Sequence, residues 1–184
     1  LLSEPYPGRS GFGLTRDGRA LWGPARLVAT ARVGDRRIPL SGVNRPRGAD
    51  ELIVYTPRYG ADTGTNAAGA EVVVEWLNGP LRAGITTEGT VSDARAGKGT
   101  APIPAEGLVL SGHGKAAQFL RGVNTGDAVR LEIHLAGEDG ANWDEAWQAI
   151  GAGPRLLKKG AVCLKPGIEG FRGDVLQGRA PRSA

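Results

Sequence analysis

The chain has 184 residues, enough for one sizeable core, and its 40% hydrophobic and 23% charged content is the balance of a globular protein. No apolar run approaches the roughly 20 residues that a membrane helix needs, so no membrane span is expected in these residues. The net charge is +4 and the pI about 9.6, but the basic residues are scattered without aromatic interleaving, which argues against nucleic acid as a partner.

Five of the 23 basic residues are lysine and the other 18 are arginine. The planar guanidinium fork suits phosphate and carboxylate, so this bias fits an anionic ligand, although a codon preference for arginine gives the same count. Only 5% of residues are aromatic, against 30 glycines and 12 prolines, which points to many turns and tight corners. Cys163 is the lone cysteine, cannot form an internal disulfide, and reads as an inert thiol in an apolar strand. No metal site and no cofactor is called for.

Ser10–Thr15 alternates small and apolar residues and ends at Asp17-Gly18, a hairpin signal. Arg26–Val33 turns at Gly34-Asp35 and returns as Arg36–Leu40, a second hairpin. Asn44-Arg45-Pro46-Arg47-Gly48 then sets two arginines astride a proline that holds the backbone extended; it reads either as a solvated loop or as a phosphate or carboxylate clamp. Glu51–Thr56 and Glu71–Trp76 are strands by their β-branched content. Between them Gly60–Asn66 is a turn-forming loop that can also present Asp62, Thr65 and Asn66 to sugar hydroxyls. The polar stretch Thr86–Thr100 reads as an exposed hairpin tip or loose loop.

Gly107–Gly114 is a strand running into a Gly-His-Gly corner, and residues 115–123 place Ala116, Ala117, Leu120 and Val123 at helical spacing. His113 at that corner is either structural or an acid or base. Ala128–Leu135 alternates as a half-exposed strand, with His134 on its outer face. A helix, a Gly-Asp turn and a strand in succession suggest a barrel-like part. Trp143, Trp147 and Ile150 share one face of a helix predicted over residues 143–150 and are expected to pack into the core. Gly151-Ala152-Gly153-Pro154 ends that helix as a rigid corner, Leu156 and Leu157 open an apolar run that turns at Lys159-Gly160, and Phe171–Leu176 is a last short strand. The fold class that follows is α+β: mostly antiparallel sheet, barrel-like in part, with a few short helices, about residues 115–123 and 143–150.

Gly151-Ala152-Gly153-Pro154-Arg155-Leu156, followed later by Arg179-Ala180-Pro181-Arg182-Ser183-Ala184, resembles the phosphodiester glycosidase family, of the uncovering-enzyme type. Its members show Gly-Gly-Pro-x-Leu and then Arg-x-Pro-Arg-Thr-Ala-x-Gly; Ala152 and Ser183 are the departures here. Asn44–Gly48, Thr63-Gly64-Thr65-Asn66 and Leu110–Gly114 are also similar to stretches of bacterial members. The resemblance implies a single domain over residues 1–184, incomplete at both ends: the family's Asn-Gly-rich turn and its Leu-Asp-Gly-Gly-Gly-Ser turn do not occur. It further implies a hydrolase that cleaves an N-acetylglucosamine-like sugar from a phosphodiester-linked glycan or cell-envelope polysaccharide, secreted or held in the cell envelope, and inactive as this segment alone.

On that resemblance Arg179 and Arg182 are the cations that stabilise the phosphate, with His113 and Asp62 as proton-transfer groups. Asn44, Arg45, Arg47, Thr65, Asn66, Gly151, Gly153 and Pro154 shape the substrate site. The expected partner is a phosphorylated or anionic glycan. No pair of carboxylates stands out as a glycosidase acid and nucleophile. The competing reading is a non-catalytic glycan-binding or cell-envelope module with the same fold.

Overall fold

The computed structural model describes residues 9–171, with the backbone alone at residue 139. In chain order the strands are β1 (Ser10–Thr15), β2 (Ala20–Val33), β3 (Arg36–Pro39), β4 (Gly42–Val43), β5 (Leu52–Tyr55), β6 (Ala70–Glu75), β7 (Thr86–Ala96) and β8 (Leu108–Gly112). Helix α1 (Gly114–Arg121) follows, then β9 (Ala128–Gly137), two single 3-10 turns at Glu138–Gly140 and Trp143–Glu145, β10 (Ala146–Gly151), β11 (Leu157–Lys158) and β12 (Ala161–Val162). The fold is α+β and mostly antiparallel sheet. The chain divides into two compact units, residues 27–135 and, among the described residues, 9–26 with 136–171.

In the first unit the strand order is β2-β9-β7-β6-β8-β5-β4, with β3 paired to β2. β4 and β5 run parallel, so the sheet is mixed, and it does not close into the barrel-like part expected from the sequence. Strands alternate side chains between faces. One face of β5, β6 and β8 therefore carries Leu52, Val54, Val72, Val74, Leu108 and Leu110, packed with Ala116, Ala117 and Leu120 of α1. The other face carries Ile53, Tyr55, Val73 and Val109 beneath Ala101, Ile103 and Tyr59.

Helix α1 covers residues 114–121, close to the expected 115–123. It lies so near the end of β8 that a Cβ on Gly112 would stand 2.7 Å from the Ala116 carbonyl carbon. Gly114 has φ +55°, and a Cβ there would collide with the Asp50 carboxyl, so only glycine serves. At the other end Arg36 donates to the Phe119 and Gly122 carbonyls at 3.2 and 2.6 Å, a cation where the helix dipole favours one.

The expected loop at Thr86–Thr100 is instead the long strand β7, antiparallel to both β6 and β9. Its inward positions are Thr87, Gly89 and Val91. A side chain on Gly89 would meet Leu77 and Val74 within 2.7 Å, so the packing requires glycine there.

In the second unit β1 lies between β10 and β2, antiparallel to each. The helix expected over 143–150 is absent: one 3-10 turn leads straight into β10. Trp143 is buried, 3% exposed, against Gly11 and Gly13, whose missing side chains leave room for its ring. Trp147 and Ile150 are exposed, so the three residues share no core face. Lys159-Gly160 forms the expected turn, both residues at positive φ, between β11 and β12. Of the expected strand Phe171–Leu176, all but Phe171 lies outside the described residues.

Gly112→Ala forces α1 away from β8 at a contact made of backbone on both sides. Chemical denaturation is expected to show a loss of about 1–3 kcal/mol, the range for overpacking a close contact. An unchanged midpoint would mean that the helix moves freely on the sheet.

Candidate functional site

The second face of β5, β8 and β6 is half apolar and half polar. The registers pair Ser111 with Ile53 on one side and Glu71 on the other. Ser111 and Glu71 are thus cross-strand neighbours on a single face, and both are fully buried.

Burying a carboxylate is costly unless hydrogen bonds replace its water. Glu71 receives three: Thr63 Oγ1 and Thr65 Oγ1 at 2.8 Å on Oε1, and the Ala101 amide at 2.9 Å on Oε2. These bonds tie the 60–66 loop and the segment at Ala101 down onto the sheet. Asn66 follows directly and is held over the end of β8.

Arg47 reaches into this arrangement from the loop after β4. Its Nη1 donates to Ser111 Oγ at 2.8 Å and to the Gly112 carbonyl at 3.3 Å; Nη2, on the exposed side, donates to Asn66 Oδ1 at 2.9 Å and to the Asn66 carbonyl at 3.2 Å. A Cβ on Gly69 would stand 2.6 Å from Nη1, so that glycine makes the space the guanidinium occupies. All four acceptors are neutral. Among the described residues no carboxylate forms an ion pair with Arg47, so its charge is oriented without being neutralised.

Arg45 is the contrast. It makes a two-point ion pair with Glu51 at 2.7 and 2.9 Å and donates to the Ser41 carbonyl at 2.7 Å. The Arg45 guanidinium holds the Glu51 carboxyl below the usual range, and the Gly48 amide at 2.6 Å adds to the effect. Asn44 bonds to Thr56 through both ends of its amide, at 2.8 Å each, so it shapes the loop from a buried position. Asp62 accepts the Gly64 amide at 2.8 Å in a local turn and is exposed.

His113 stands at the junction of β8 and α1. Its Nδ1 accepts the Asp50 amide at 3.2 Å, so the neutral ring carries its proton on Nε2 and offers a donor there. Tyr55 is fully buried, and its hydroxyl makes no hydrogen bond of ordinary geometry, although the Arg47 backbone lies close enough to lower its pKa. Burial pushes its pKa up to about 12; neighbouring Tyr59 and Glu71 push the same way, while Arg47 pulls it down. The phenol is therefore neutral at physiological pH and lies within electrostatic range of both Arg47 and Glu71.

Of the residues singled out from the sequence, the structure joins Arg47 directly to Asn66 and places Thr65 on the carboxylate that anchors the same loop. Gly151, Gly153 and Pro154 belong to the second unit. There they close β10, with Gly151 opposite Gly11 and the Ala152 amide donating to the Ser10 carbonyl at 2.9 Å. Neither glycine has a positive φ, so the corner follows a strand and makes no use of glycine's left-handed freedom. Arg179 and Arg182 lie outside the described residues. Sequence reasoning passed over Glu71, Ser111, Gly69 and Tyr55. The alternation within Glu71–Glu75 and Leu108–Gly112 was the only signal that could place the first two on one face.

Among the described residues no three His, Cys, Asp or Glu side chains gather into a metal-binding group. No helix among them is long and apolar enough to cross a membrane.

No known protein family matches the chain, and no curated protein does. Solved structures do. A hypothetical protein from Synechocystis superposes with a TM-score of 0.68 at 22% identity, over 97% of this chain and 32% of that one. A Burkholderia pseudomallei K96243 chain described as a "putative exported protein" superposes with a TM-score of 0.60 at 21% identity, over 84% of this chain and 35% of that one. At these identities the likeness is one of fold. The chain spans about a third of the length of the solved structures it matches.

Tyr55→Phe removes a buried hydroxyl that makes no hydrogen bond of ordinary geometry. Near neutral pH the variant is expected to be as stable as the parent or up to about 1 kcal/mol more stable, because an unsatisfied buried group costs free energy. The folded phenol keeps its proton up to about pH 12, whereas an unfolded tyrosine releases it near 10. Tyr55's contribution is therefore intact below pH 10 and lost as pH rises from 10 to 12, and the variant lacks that part of the alkaline loss. Urea unfolding across that window checks both points; a marked destabilisation of Tyr55→Phe near neutrality would show that the hydroxyl is bonded after all.

Proposed function

We propose that this chain forms part of a hydrolase that releases an N-acetylglucosamine-like sugar from a phosphodiester-linked glycan or cell-envelope polysaccharide, with Arg47 holding the phosphodiester. The observation that carries the proposal is the Arg47 guanidinium: fixed by four neutral acceptors, half-exposed, and paired with no carboxylate among the described residues. Such a cation can attract an anion without an ion pair being broken or a floppy side chain being ordered; its four Nη hydrogens are engaged, so the anion meets the remaining Nε–H or displaces the longer bonds to the Gly112 and Asn66 carbonyls. Ser111 and Asn66 hold the fork in place, and the Glu71 hydrogen bonds hold Asn66.

In the reaction, water attacks the anomeric carbon, the bond from that carbon to the phosphate oxygen breaks, and the phosphate leaves with its electron pair. Arg47 neutralises the charge that grows on that oxygen so that the phosphate leaves as its anion, the Nε2–H of neutral His113 can donate a hydrogen bond to it, and the proton lost by the water passes to a carboxylate or to solvent. Asp62 is proposed as an exposed carboxylate available to the attacking water. A secreted or envelope location agrees with the glycan substrate and with the description of the Burkholderia neighbour as exported.

One observation favours a second reading, a glycan-binding module without turnover: Glu71, the buried carboxylate on the same sheet face, is consumed by its three hydrogen bonds and is not available as base or nucleophile.

Hydrolysis of UDP-N-acetylglucosamine by the full-length protein of which this chain forms part, followed by release of the free sugar, separates the readings. Arg47→Ala is expected to lower kcat/KM by about 10²–10³-fold, the scale for removing one oriented group at a developing charge, with Arg47→Lys in between. Arg45→Ala is expected to reduce stability at neutral pH far more than turnover, since it strips Glu51 of its partner. Equal activity of Arg47→Ala and parent would overturn the proposal; binding of the sugar phosphodiester without turnover would establish the binding module.

A further inference from the structure

A groove in the second unit has no part in the chemistry proposed for Arg47. It has a volume of about 430 Å³ and is lined by Arg19, Trp22, Glu138, Asn142 and Arg155 among others. That volume lies within the roughly 300–1,000 Å³ typical of small-molecule sites. We propose that this groove binds a pyranose residue of an uncharged oligosaccharide, with Trp22 as its stacking platform.

An exposed tryptophan alone decides nothing, because single apolar side chains are common on protein surfaces. Trp22 is 69% exposed yet held: its ring tilts against Phe12 with centroids 4.5 Å apart, so the platform is already ordered before any ligand arrives. The apolar C–H face of a sugar ring fits such a surface, while its hydroxyls need donors and acceptors around the edge.

Those groups are present and fixed. Arg155 Nη1 donates to Glu138 Oε2 at 2.9 Å and its Nε to Ser10 Oγ at 3.1 Å, while its backbone amide is anchored on buried Glu169 at 2.8 Å. Gly23, with φ +108°, leaves the space taken by Arg155 Nη2, which stands 2.9 Å from where a Cβ would be. That glycine lets the guanidinium lie on the backbone of β2, next in the chain to Trp22. On the opposite rim Asn142 Nδ2 donates to Glu145 Oε1 at 3.0 Å, and Glu145 pairs with Arg19.

Charge selects the ligand class. Lys158 and then Arg155 hold the Glu138 carboxyl below its usual range, so it stays ionised and matches them. Arg19 is matched by Glu145. Arg155 and Lys158 share Glu138 and Arg19 has Glu145, so no cation of the groove stands without a carboxylate, unlike Arg47 in the first unit, and the groove offers planar polar groups and an aromatic face to vicinal hydroxyls, with only a small excess of positive charge.

The test is binding of triacetylchitotriose, read by ¹⁹F NMR on protein labelled with 5-fluorotryptophan, whose four tryptophans supply internal controls. The Trp22 signal is expected to move saturably while that of exposed Trp76 stays in place. Trp22→Ala, which removes a surface ring and leaves the core intact, is expected to weaken binding about tenfold or more, as loss of an aromatic anchor does. Gly23→Ala, which displaces Arg155 and keeps Trp22, should weaken it as well. Salt at about 0.5 M should leave the affinity within twofold, because no unscreened charge is involved. A Trp22 signal unmoved at about 10 mM sugar, far above a millimolar dissociation constant, would overturn the proposal. So would unchanged binding by Trp22→Ala, or affinity that collapses with salt. None of these readouts depends on turnover, so failure here is distinct from failure at Arg47.

Discussion

The first unit depends on keeping one buried charge satisfied. Glu71 has no exposed surface, and an ionised carboxylate in that position is tolerated only while its oxygens are hydrogen-bonded. Its three donors come from Thr63, Thr65 and Ala101, all outside the strand that carries it. The carboxylate therefore acts as a clasp between the sheet and two loop segments. Asn66 sits next to the clasp, and Arg47 is aimed by Asn66 on one side and by Ser111 on the other. Packing on the opposite face, where α1 seals the apolar core, keeps β8 and Ser111 in register with β6 and Glu71.

The loop after β4 shows how two arginines one residue apart take different roles. Arg45 is half-buried, bidentate to Glu51, and serves to close the loop; its charge is cancelled where it stands. Arg47 is held just as firmly, but only by carbonyls, an amide oxygen and a hydroxyl. Neutral anchors orient a cation without lowering its attraction for an anion, and that difference, not exposure, sets Arg47 apart from Arg45. Tyr55 beneath this face keeps a neutral hydroxyl with no hydrogen bond of ordinary geometry, a cost that a well-packed interior normally avoids.

Much of the fold was legible in the sequence because it follows local rules. β-branched residues marked β5 and β6, Asp17-Gly18 and Lys159-Gly160 marked turns that both use glycine at positive φ, and Ala116, Ala117 and Leu120 marked α1. The failures have physical causes as well. Trp143, Trp147 and Ile150 have helical spacing, but Trp143 finds its place against Gly11 and Gly13, some 130 residues earlier in the chain, and β10 pairs along β1. β7 mixes three threonines and a valine with single Glu, Gly, Ser, Asp and Arg residues, too polar a run to read as a strand by itself, and it is a strand because β6 and β9 flank it. At the site, the Asn44–Gly48 and Gly60–Asn66 loops were visible as polar, turn-rich stretches. What separates Arg47 from Arg45 is the position of Glu51, and what makes Glu71 a clasp is its burial, neither of which local sequence states.

The account stands most directly on the claim that Arg47 is the anion-holding group of the first unit. Titrating the ¹⁵N-labelled chain with dimethyl phosphate, and following the arginine side-chain Nε–H resonances assigned by single Arg→Lys variants, measures that claim. A saturable shift of Arg47 with Arg45 unmoved is the predicted result. No shift at Arg47, or equal shifts at Arg45 and Arg47, would contradict the account.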